Sequence, residues 1–384
     1  MPTVRGWTVL AVSALLLVLG LVVGYRELPV LGGVGMVAVS VAAGWVGWPP
    51  RLAVDRTLRP ARTHRGGSCQ VVLDLHTASG RTRRFTATDA LVGPVGQQGR
   101  DRIVPVPAVQ VRGGMPTRLT YPLPTDRRGV FGVGPLRIAR TDPLGLCRMQ
   151  RRVGSSDRLV VRPRWHRLRA LPAGIAPNLD GTVDGARHGS IAFHALREYR
   201  TGDDLRHVHW RTSARVGELM VREYVDTALP QVVLLLDDRA EAYQGHPELI
   251  EEAVEVAASL LVSTLDSGTP VSLHLASAQG VAATTSSGLD LLAQVRPVAG
   301  VDLAGAVRRT RSDGPRRDTF ILVTGSDVDL APAVAAADGY PQVMVVALGP
   351  TTVRRSAPPG DVALVSAGDA VEFASRWDRP ARWA

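Results

Sequence analysis

The sequence predicts three parts: an N-terminal transmembrane helical hairpin, an all-β sandwich-like domain, and a C-terminal α/β domain of Rossmann-like type. Two uncharged apolar runs fill most of residues 1–50. Short apolar segments separated by Gly, Pro and Asp occupy 51–170, which is typical of antiparallel strands. Apolar strands alternate with helical patterns over 231–384. Residues 171–230 are expected to connect the last two parts.

The hairpin is predicted from residues 7–25 and 28–50, which contain no charged side chain. Each run is close to the roughly 20 residues that cross a bilayer as a helix. Only Arg26 and Glu27 separate them, so the turn is tight. A cleaved signal peptide is the alternative, since Arg5 precedes an apolar run. The second run and the missing small-residue cleavage site favour the hairpin.

The orientation follows from the arginines after the second run. Residues 51–65 contain five arginines and only one acidic residue, Asp55, and the loop between the two runs carries no net charge. The positive-inside rule then puts both ends of the hairpin in the cytoplasm. The expected location is therefore the cell membrane, multi-pass, with cytoplasmic soluble domains. The arginines are Arg51, Arg56, Arg59, Arg62 and Arg65.

The composition restricts the classes of function. The 384 residues carry a net charge of +10, and every basic residue apart from histidine is arginine. This charge suits nucleic acid, anionic lipid or an acidic protein. Aromatic residues are only 5% of the chain and several lie in the hairpin, so nucleic-acid binding is not expected. Two cysteines without a CxxC pair argue against zinc, and no GxSxG or HExxH hydrolase motif occurs.

The α/β part begins with the apolar run Gln231–Asp238, as expected of a strand buried on both faces. A helix opening near Pro247 and ending before Gly268 follows. Further strands are expected over 270–277, 318–327 and 342–349, with helices near 288–296, 301–310 and 329–338. Ligands of such sheets bind at the carboxyl ends of the strands. Asp237, Asp238 and Asp327 are expected there.

The stretch "LREYRTGDDLRHVHWRTSAR", Leu196–Arg215, is called the signature segment below. It has the densest set of Arg, Asp, Glu, His and Trp in the chain. Asp203 is expected to cap a helix of about three turns that ends at Gly217. A strand or an extended segment is expected before it, over 190–199, and a strand is expected after it, over 218–226.

Two functions are open for this segment. Asp203 and His209 could form an acid/base pair of an enzyme whose reaction is unknown. Alternatively, its charged side chains form a salt-bridged network, and Trp210 is a packing anchor. His207 and His209 are two apart, so on a helix they face different directions and joint metal ligation is awkward. The second reading is favoured.

The signature segment resembles that of the domain of unknown function 58 family, as do the upstream "RRGVFGVGPLRIARTDPLGL" and "DRLVVRP". The resemblance implies a membrane-anchored bacterial protein with a von Willebrand factor A-like domain. It also implies association with a MoxR-type AAA+ ATPase and a transglutaminase-like membrane protein. No reaction is implied. The residues carried over as signature or partner-binding positions are Arg197, Tyr199, Gly202, Asp203, Arg206, His209, Trp210 and Arg215.

The sequence departs from the von Willebrand A pattern at the residues that would hold a metal ion. Metal-binding von Willebrand A domains carry Asp-x-Ser-x-Ser after their first strand. Asp237 matches the aspartate, but Arg239 and Glu241 stand where the serines would be. No metal or other cofactor is therefore expected, with Mg²⁺ on Asp237 and Asp327 as the alternative. The sequence as a whole predicts a membrane-anchored scaffold or adaptor that binds partner proteins, with no enzyme activity.

Overall fold

The computed structural model forms two compact units, Met1–Pro163 and Arg164–Ala384. Each unit is described by itself. The structure describes residues 1–47, 52–77, 83–93, 102–111, 116–169, 191–199, 208–226, 231–278, 282–312, 319–326, 328–349 and 362–379.

The first unit opens with two antiparallel helices, α1 (Val4–Val23) and α2 (Glu27–Val46). Both are long and apolar enough to cross a membrane. Only about a fifth of their most apolar stretches is buried (17% and 22%), so they are not core helices of the described structure. They approach closely, since a Cβ atom on Gly32 would lie 2.5 Å from the Ser13 carbonyl oxygen. Small residues at such contacts are typical of helix pairs in lipid.

Ten strands follow within the described residues of the first unit. One sheet has the order β1-β3-β6, and a larger one has the order β2-β10-β7-β4-β8-β9 with β5 paired to β4. Leu73 and Leu75 of the first sheet share a buried core with Leu136 and Leu159 of the second. The strands are β1 (Leu52–Arg59), β2 (Arg62–His64), β3 (Gln70–Thr77), β4 (Arg83–Val92), β5 (Arg102–Val111), β6 (Thr117–Pro122), β7 (Gly129–Val133), β8 (Leu136–Thr141), β9 (Arg148–Val153) and β10 (Asp157–Arg162).

A buried polar network joins the two sheets. Arg56 of β1 donates to Asp89 of β4 at 2.9 Å, and both side chains are almost fully buried. Tyr121 of β6 donates its hydroxyl to the other oxygen of Asp89. Burial, and then the neighbouring carboxylate of Asp89, raise the pKa of Tyr121, so this hydroxyl stays a donor. The network links the two sheets, and it supplies the hydrogen-bond donors that the buried carboxylate of Asp89 requires.

The second unit holds a two-stranded antiparallel sheet and a five-stranded parallel sheet of order β14-β13-β15-β16-β17. Its elements are β11 (Ile191–Glu198), α3 (Trp210–Val216), β12 (Met220–Asp226), β13 (Val232–Leu236), α4 (Leu249–Asp266), β14 (Val271–Leu275), α5 (Thr285–Gln294), α6 (Leu303–Ser312), β15 (Thr319–Gly325), α7 (Ala331–Ala336), β16 (Gln342–Leu348), β17 (Val362–Ala367) and α8 (Ala370–Trp377). A short 3₁₀ turn covers Ala240–Tyr243.

The parallel sheet is covered by helices on both faces. One core contains Leu261 of α4 and Trp377 of α8, and the other contains Val307 of α6 and Ala333 of α7. Every residue of β13 and β15 is buried, which explains their continuous apolar sequences. The mixed α/β body agrees with the predicted alternation. Strand β17 and helix α8 had not been predicted.

The helix of the signature segment is shorter than predicted. Within the described residues it covers only Trp210–Val216, and His209 is its N-cap. Val208 is not helical, because it forms an antiparallel bridge with Val221 of β12. This pairing with β12 prevents the helix that the sequence pattern predicted from extending through Val208. The end of the helix agrees with the prediction, since Gly217 adopts the left-handed conformation with φ of 84°.

Candidate functional site

The carboxyl end of β13 carries two adjacent aspartates that are both buried, Asp237 and Asp238. Each one fastens β13 to a different neighbour. Asp237 accepts a hydrogen bond from the hydroxyl of Thr324, on β15, at 2.7 Å. Asp238 accepts from the backbone N–H of Ser277, just after β14, at 2.9 Å, and also from its hydroxyl. This end of the sheet, the carboxyl edge, is therefore held rigid.

The charge of Asp237 is matched inside the chain. Arg239 forms two parallel hydrogen bonds to it, Nε–Oδ1 at 2.8 Å and Nη2–Oδ2 at 2.9 Å. This planar fork is the geometry that arginine provides and lysine does not. The hydrogen bonds to Asp237 raise the pKa of Arg239, so the guanidinium stays charged. Both oxygens of Asp237 thus have strong donors.

Among the described residues, no cation pairs with Asp238 as Arg239 does with Asp237. Burial raises the pKa of Asp238, the hydrogen bonds from Ser277 offset part of that rise, and the charge of Asp237 adds to it. The residue is therefore easier to protonate than an exposed aspartate.

An open cleft of about 390 Å³ lies beside the carboxyl edge, next to Arg239. Its wall includes Arg239 and Glu241, together with Asp302 and Asp329 near the starts of α6 and α7. Glu241 accepts from the backbone N–H of Gly300 at 2.8 Å, which ties the loop before α6 to the edge. That bond and others from backbone N–H groups hold the pKa of Glu241 below its usual range. No group of three or more metal-ligating side chains occurs among the described residues.

The signature helix α3 is capped by a histidine. The ring Nδ1 of His209 accepts from the backbone N–H of Thr212 at 3.2 Å and lies 2.7 Å from its hydroxyl. Ser213 is buried and accepts from the N–H of Met220 at 2.8 Å, which fastens α3 to β12. Accepting at Nδ1 leaves the proton of the neutral ring on Nε2.

The outer face of α3 is apolar and cationic. Trp210 is 64% exposed, so it is not the buried packing anchor that the sequence had predicted. It lies in the first turn, whose inward contacts are made by Ser213. Val216 and Leu219 are also exposed, and so are Arg211 and Arg215.

The other predicted positions are only partly described. Arg197 lies in β11 opposite Val221, and the N–H of Tyr199 donates to the Leu219 carbonyl at 2.8 Å. Both thus belong to the β11–β12 hairpin that carries α3. Gly202, Asp203, Arg206 and Asp327 lie outside the described residues, as does most of the predicted salt-bridged network.

Sequence reasoning missed two residues of the edge. Thr324 lies near the end of the mostly apolar strand β15. Only the pairing of β15 with β13 reveals that its hydroxyl contacts Asp237. Arg239 was expected to repel a cation, but its pairing with Asp237 was not anticipated. The spacing Asp-x-Arg was the available clue. An arginine two residues after an aspartate, just beyond the end of a strand, can fold its guanidinium back onto the carboxylate.

The uncharacterized protein YeaD of Bacillus subtilis (strain 168) is 28% identical over 153 residues, which are 39% of this chain. The alignment spans 37% of the length of YeaD.

Solved structures with partial likeness include the DNA glycosylase AlkC of Pseudomonas fluorescens bound to DNA (11% identity, TM-score 0.23, 29% of this chain and 31% of that one). Another is a β-glucosidase of Listeria innocua (13%, TM-score 0.20, 29% and 17%). A third is the putative ApaA protein of Bordetella pertussis (12%, TM-score 0.22, 29% and 95%). Scores this low carry no argument. Over residues 195–350, which include α3 and the carboxyl edge, the chain matches the family described as Protein of unknown function DUF58.

Proposed function

We propose that the protein is a membrane-anchored scaffold or adaptor that binds a partner protein through the outer face of α3. The observation that carries this is the exposure of Trp210, at 64%. Exposed apolar side chains grouped together and rimmed by polar residues mark interaction sites, and Val216 and Leu219 are exposed close to Trp210 in the sequence. Tryptophan and arginine are also the residues most enriched among those that dominate binding energy at protein interfaces. α3 has this composition, because Trp210, Arg211 and Arg215 are all exposed on it.

The carboxyl edge supports a role without metal. In the von Willebrand A pattern a divalent cation is held at this place. Here the guanidinium of Arg239 already neutralises Asp237. The edge would thus be preorganised without an ion, and the adjoining cleft would accept part of the partner.

The anchor is the hairpin of α1 and α2, and we take it to be retained. Pro2 forms an antiparallel bridge with Cys147, and a Cβ atom on Gly6 would lie only 2.1 Å from the Leu146 carbonyl oxygen. A segment that is cut off after export has no reason to fit the folded domain so closely.

The partner that we propose is a MoxR-type AAA+ ATPase, with a transglutaminase-like membrane protein as a second member of the assembly. This choice rests on the resemblance of the signature segment alone. The structure contributes the surface and its chemistry, which is apolar at Trp210 and Val216 and cationic at Arg211 and Arg215.

The contrasting proposal is an enzyme that uses Asp203 and His209. His209 argues against it in one respect, because its Nδ1 is engaged in capping α3. An Asn at this position can still cap a helix but cannot transfer protons. His209→Asn would therefore abolish an enzyme's turnover and leave partner binding intact.

Photocrosslinking in living cells tests the proposal. A benzoylphenylalanine probe replaces Val216 on α3, and the matched control replaces Val371 on α8, which is similarly exposed (56% and 63%). We expect an adduct with an AAA+ ATPase, identified by mass spectrometry, from position 216 only. Trp210→Ala should reduce it at least tenfold, as expected for about 2 kcal/mol of binding free energy. Equal adducts from both positions, or an adduct unaffected by Trp210→Ala, would contradict the proposal.

A further inference from the structure

The turn between β8 and β9, residues 142–147, is rigid and has an apolar tip. The buried side chain of Asp142 accepts from the backbone N–H groups of Leu144, at 2.9 Å, and Cys147. Burial alone would raise the pKa of Asp142, but these backbone donors hold it below its usual range. Leu144, at the tip, is 65% exposed. The turn therefore presents a fixed leucine to its surroundings.

Both outer ends of the helical hairpin meet this same turn. At the start of α1, Thr3 donates its N–H to the Leu146 carbonyl at 2.8 Å and its hydroxyl to Gly145 at 2.6 Å. At the end of α2, Val46 packs in one cluster with Leu146. If the two helices cross a bilayer, the turn lies where the hydrocarbon meets the headgroups.

The side chains around the turn are those of a membrane interface. Trp7 and Trp45 are both more than half exposed, and Arg140 lies 5.7 Å from the centre of the Trp45 ring. Arg5, in the first turn of α1, and Arg148, directly after the turn, are exposed. Tryptophan concentrates at the headgroup level, and arginine there pairs with anionic phosphates.

We propose that the 142–147 turn docks on the membrane itself. Leu144 enters the top of the acyl-chain layer, and Arg5 and Arg148 hold the phosphates of anionic phospholipids beside the hairpin. The inference rests on the proposed membrane anchoring, and it adds a second, lipid-selective contact made by the β-strand unit. A bilayer is the occupant that the geometry favours, because the hairpin brings it to the turn in every copy.

Depth-dependent fluorescence quenching tests the leucine. The full-length Leu144→Cys variant, labelled with a nitrobenzoxadiazole dye, is reconstituted into vesicles with and without phosphatidylcholine brominated on its acyl chains. Cys69 and Cys147 are buried, so unsubstituted protein gives the labelling background. We expect strong quenching by the brominated lipid.

The matched control is Ile103→Cys, which is comparably exposed (61%). Ile103 pairs with Ala90 on β4, beyond the point where Thr88 of β4 meets Arg137 of β8. It thus lies roughly 25 Å from the turn along the strands, at about 3.3 Å per residue. We expect no quenching there.

Spin-labelled lipids test the arginines. The relative association of phosphatidylglycerol over phosphatidylcholine is measured by electron paramagnetic resonance on the reconstituted protein. Arg148→Gln should lower the preference about fivefold, the factor expected for one arginine at a charged surface. Arg152→Gln is the control, because Arg152 is exposed on the same strand, about 13 Å further from the turn.

Three outcomes would overturn the inference. They are an unquenched dye at position 144 in integral protein, equal quenching at 103 and 144, or equal effects of the two arginine substitutions. Each leaves the anchoring intact. Protein that alkaline carbonate removes from the vesicles would instead overturn the anchoring and this inference together.

Discussion

At the scale of single residues, the carboxyl edge depends on the pairing of one buried carboxylate with one guanidinium. Arg239 has only 15% of its side chain exposed and spends two donors on Asp237. A buried pair of this kind adds little over an apolar pair, but loss of one partner leaves an uncompensated charge. The pair therefore fixes the shape of the edge more than it adds to global stability.

Removing the guanidinium should expose that cost. We expect Arg239→Gln to lower the free energy of unfolding by about 3–5 kcal/mol, measured by denaturant titration in detergent. The control is Arg308→Gln, which removes an ion pair with Asp302 between two exposed side chains and should cost well under about 1 kcal/mol. Similar losses in the two variants would mean that Asp237 finds another partner.

Asp238 should make stability depend on pH. Its pKa in the folded state is raised above its unfolded value near 3.9, so the folded protein binds the proton more tightly. Stability should therefore rise as the pH falls through the raised pKa towards about 4. Asp238→Asn removes this term, and the difference in melting temperature between wild type and variant should change over that window. A constant difference would show that the residue does not titrate there.

Residue roles were only partly accessible from sequence. The unusual Arg239 could be recognised, since it breaks the Asp-x-Ser-x-Ser pattern, and its charge argued against a cation. Its fork onto Asp237 was missed, because the Asp-x-Arg spacing only allows this contact and the backbone path after β13 decides whether it forms. The exposure of Trp210 was also missed, since an aromatic residue in a sequence favours burial on average whichever way its helix faces.

At the scale of elements, α3 is a helix of seven residues that depends on its ends. We expect His209→Ala to destabilise it by about 1 kcal/mol, because the N–H of Thr212 loses its side-chain acceptor and keeps only the His209 carbonyl. His209→Asn should restore most of this loss. Hydrogen exchange of the amides from Trp210 to Val216 measures both. Equal exchange in the Ala and Asn variants would mean that the cap contributes nothing.

The hairpin offers a test with neighbouring glycines. A Cβ atom on Gly32 would meet the Ser13 backbone of α1, whereas one on Gly33 meets nothing within 4 Å. Gly32→Ala should push the helices apart at a cost of about 1–3 kcal/mol, and Gly33→Ala should be neutral or slightly stabilising. Thermal unfolding in detergent distinguishes them. A loss in Gly33→Ala as large as that in Gly32→Ala would contradict the packing.

The strands and helices differ in how readily they can be predicted from the sequence. Strands β13, β15 and β16 could be predicted because apolar runs of this length belong to buried parallel strands. Strand β17 could not, since it is an edge strand whose first five residues are only half-buried. Helix α8 was missed although Asp369 is an N-cap and Phe373 and Trp377 are four residues apart on one face.

At the scale of the whole molecule, the topology can be tested with two single cysteines. Tyr25 lies in the turn between α1 and α2, and Arg151 lies on β9; both are exposed. A membrane-impermeant maleimide applied to intact cells should label Tyr25→Cys and should label Arg151→Cys only after the cells are permeabilised. The reverse pattern would invert the orientation expected from the arginines after α2.

The large-scale organisation was the most predictable part. Helices, then strands, then alternating strands and helices follow from composition and periodicity alone. What could not be predicted is how the hairpin joins the strands. The bonds of Thr3 to Gly145 and Leu146 link positions far apart in the chain, and no local pattern records such a contact.

The strand order of the parallel sheet has a consequence for biogenesis. Val232 of β13 pairs with Thr319 of β15, so the centre of the sheet forms only after the intervening helices have been synthesised. Pairings this distant are slow to form. α1 and α2, joined by a tight turn, leave the ribosome long before. If these helices anchor the chain as proposed, it is already tethered at the bilayer while the ribosome is still making the sheet, which would confine its unfinished apolar strands to the membrane surface and away from other nascent chains.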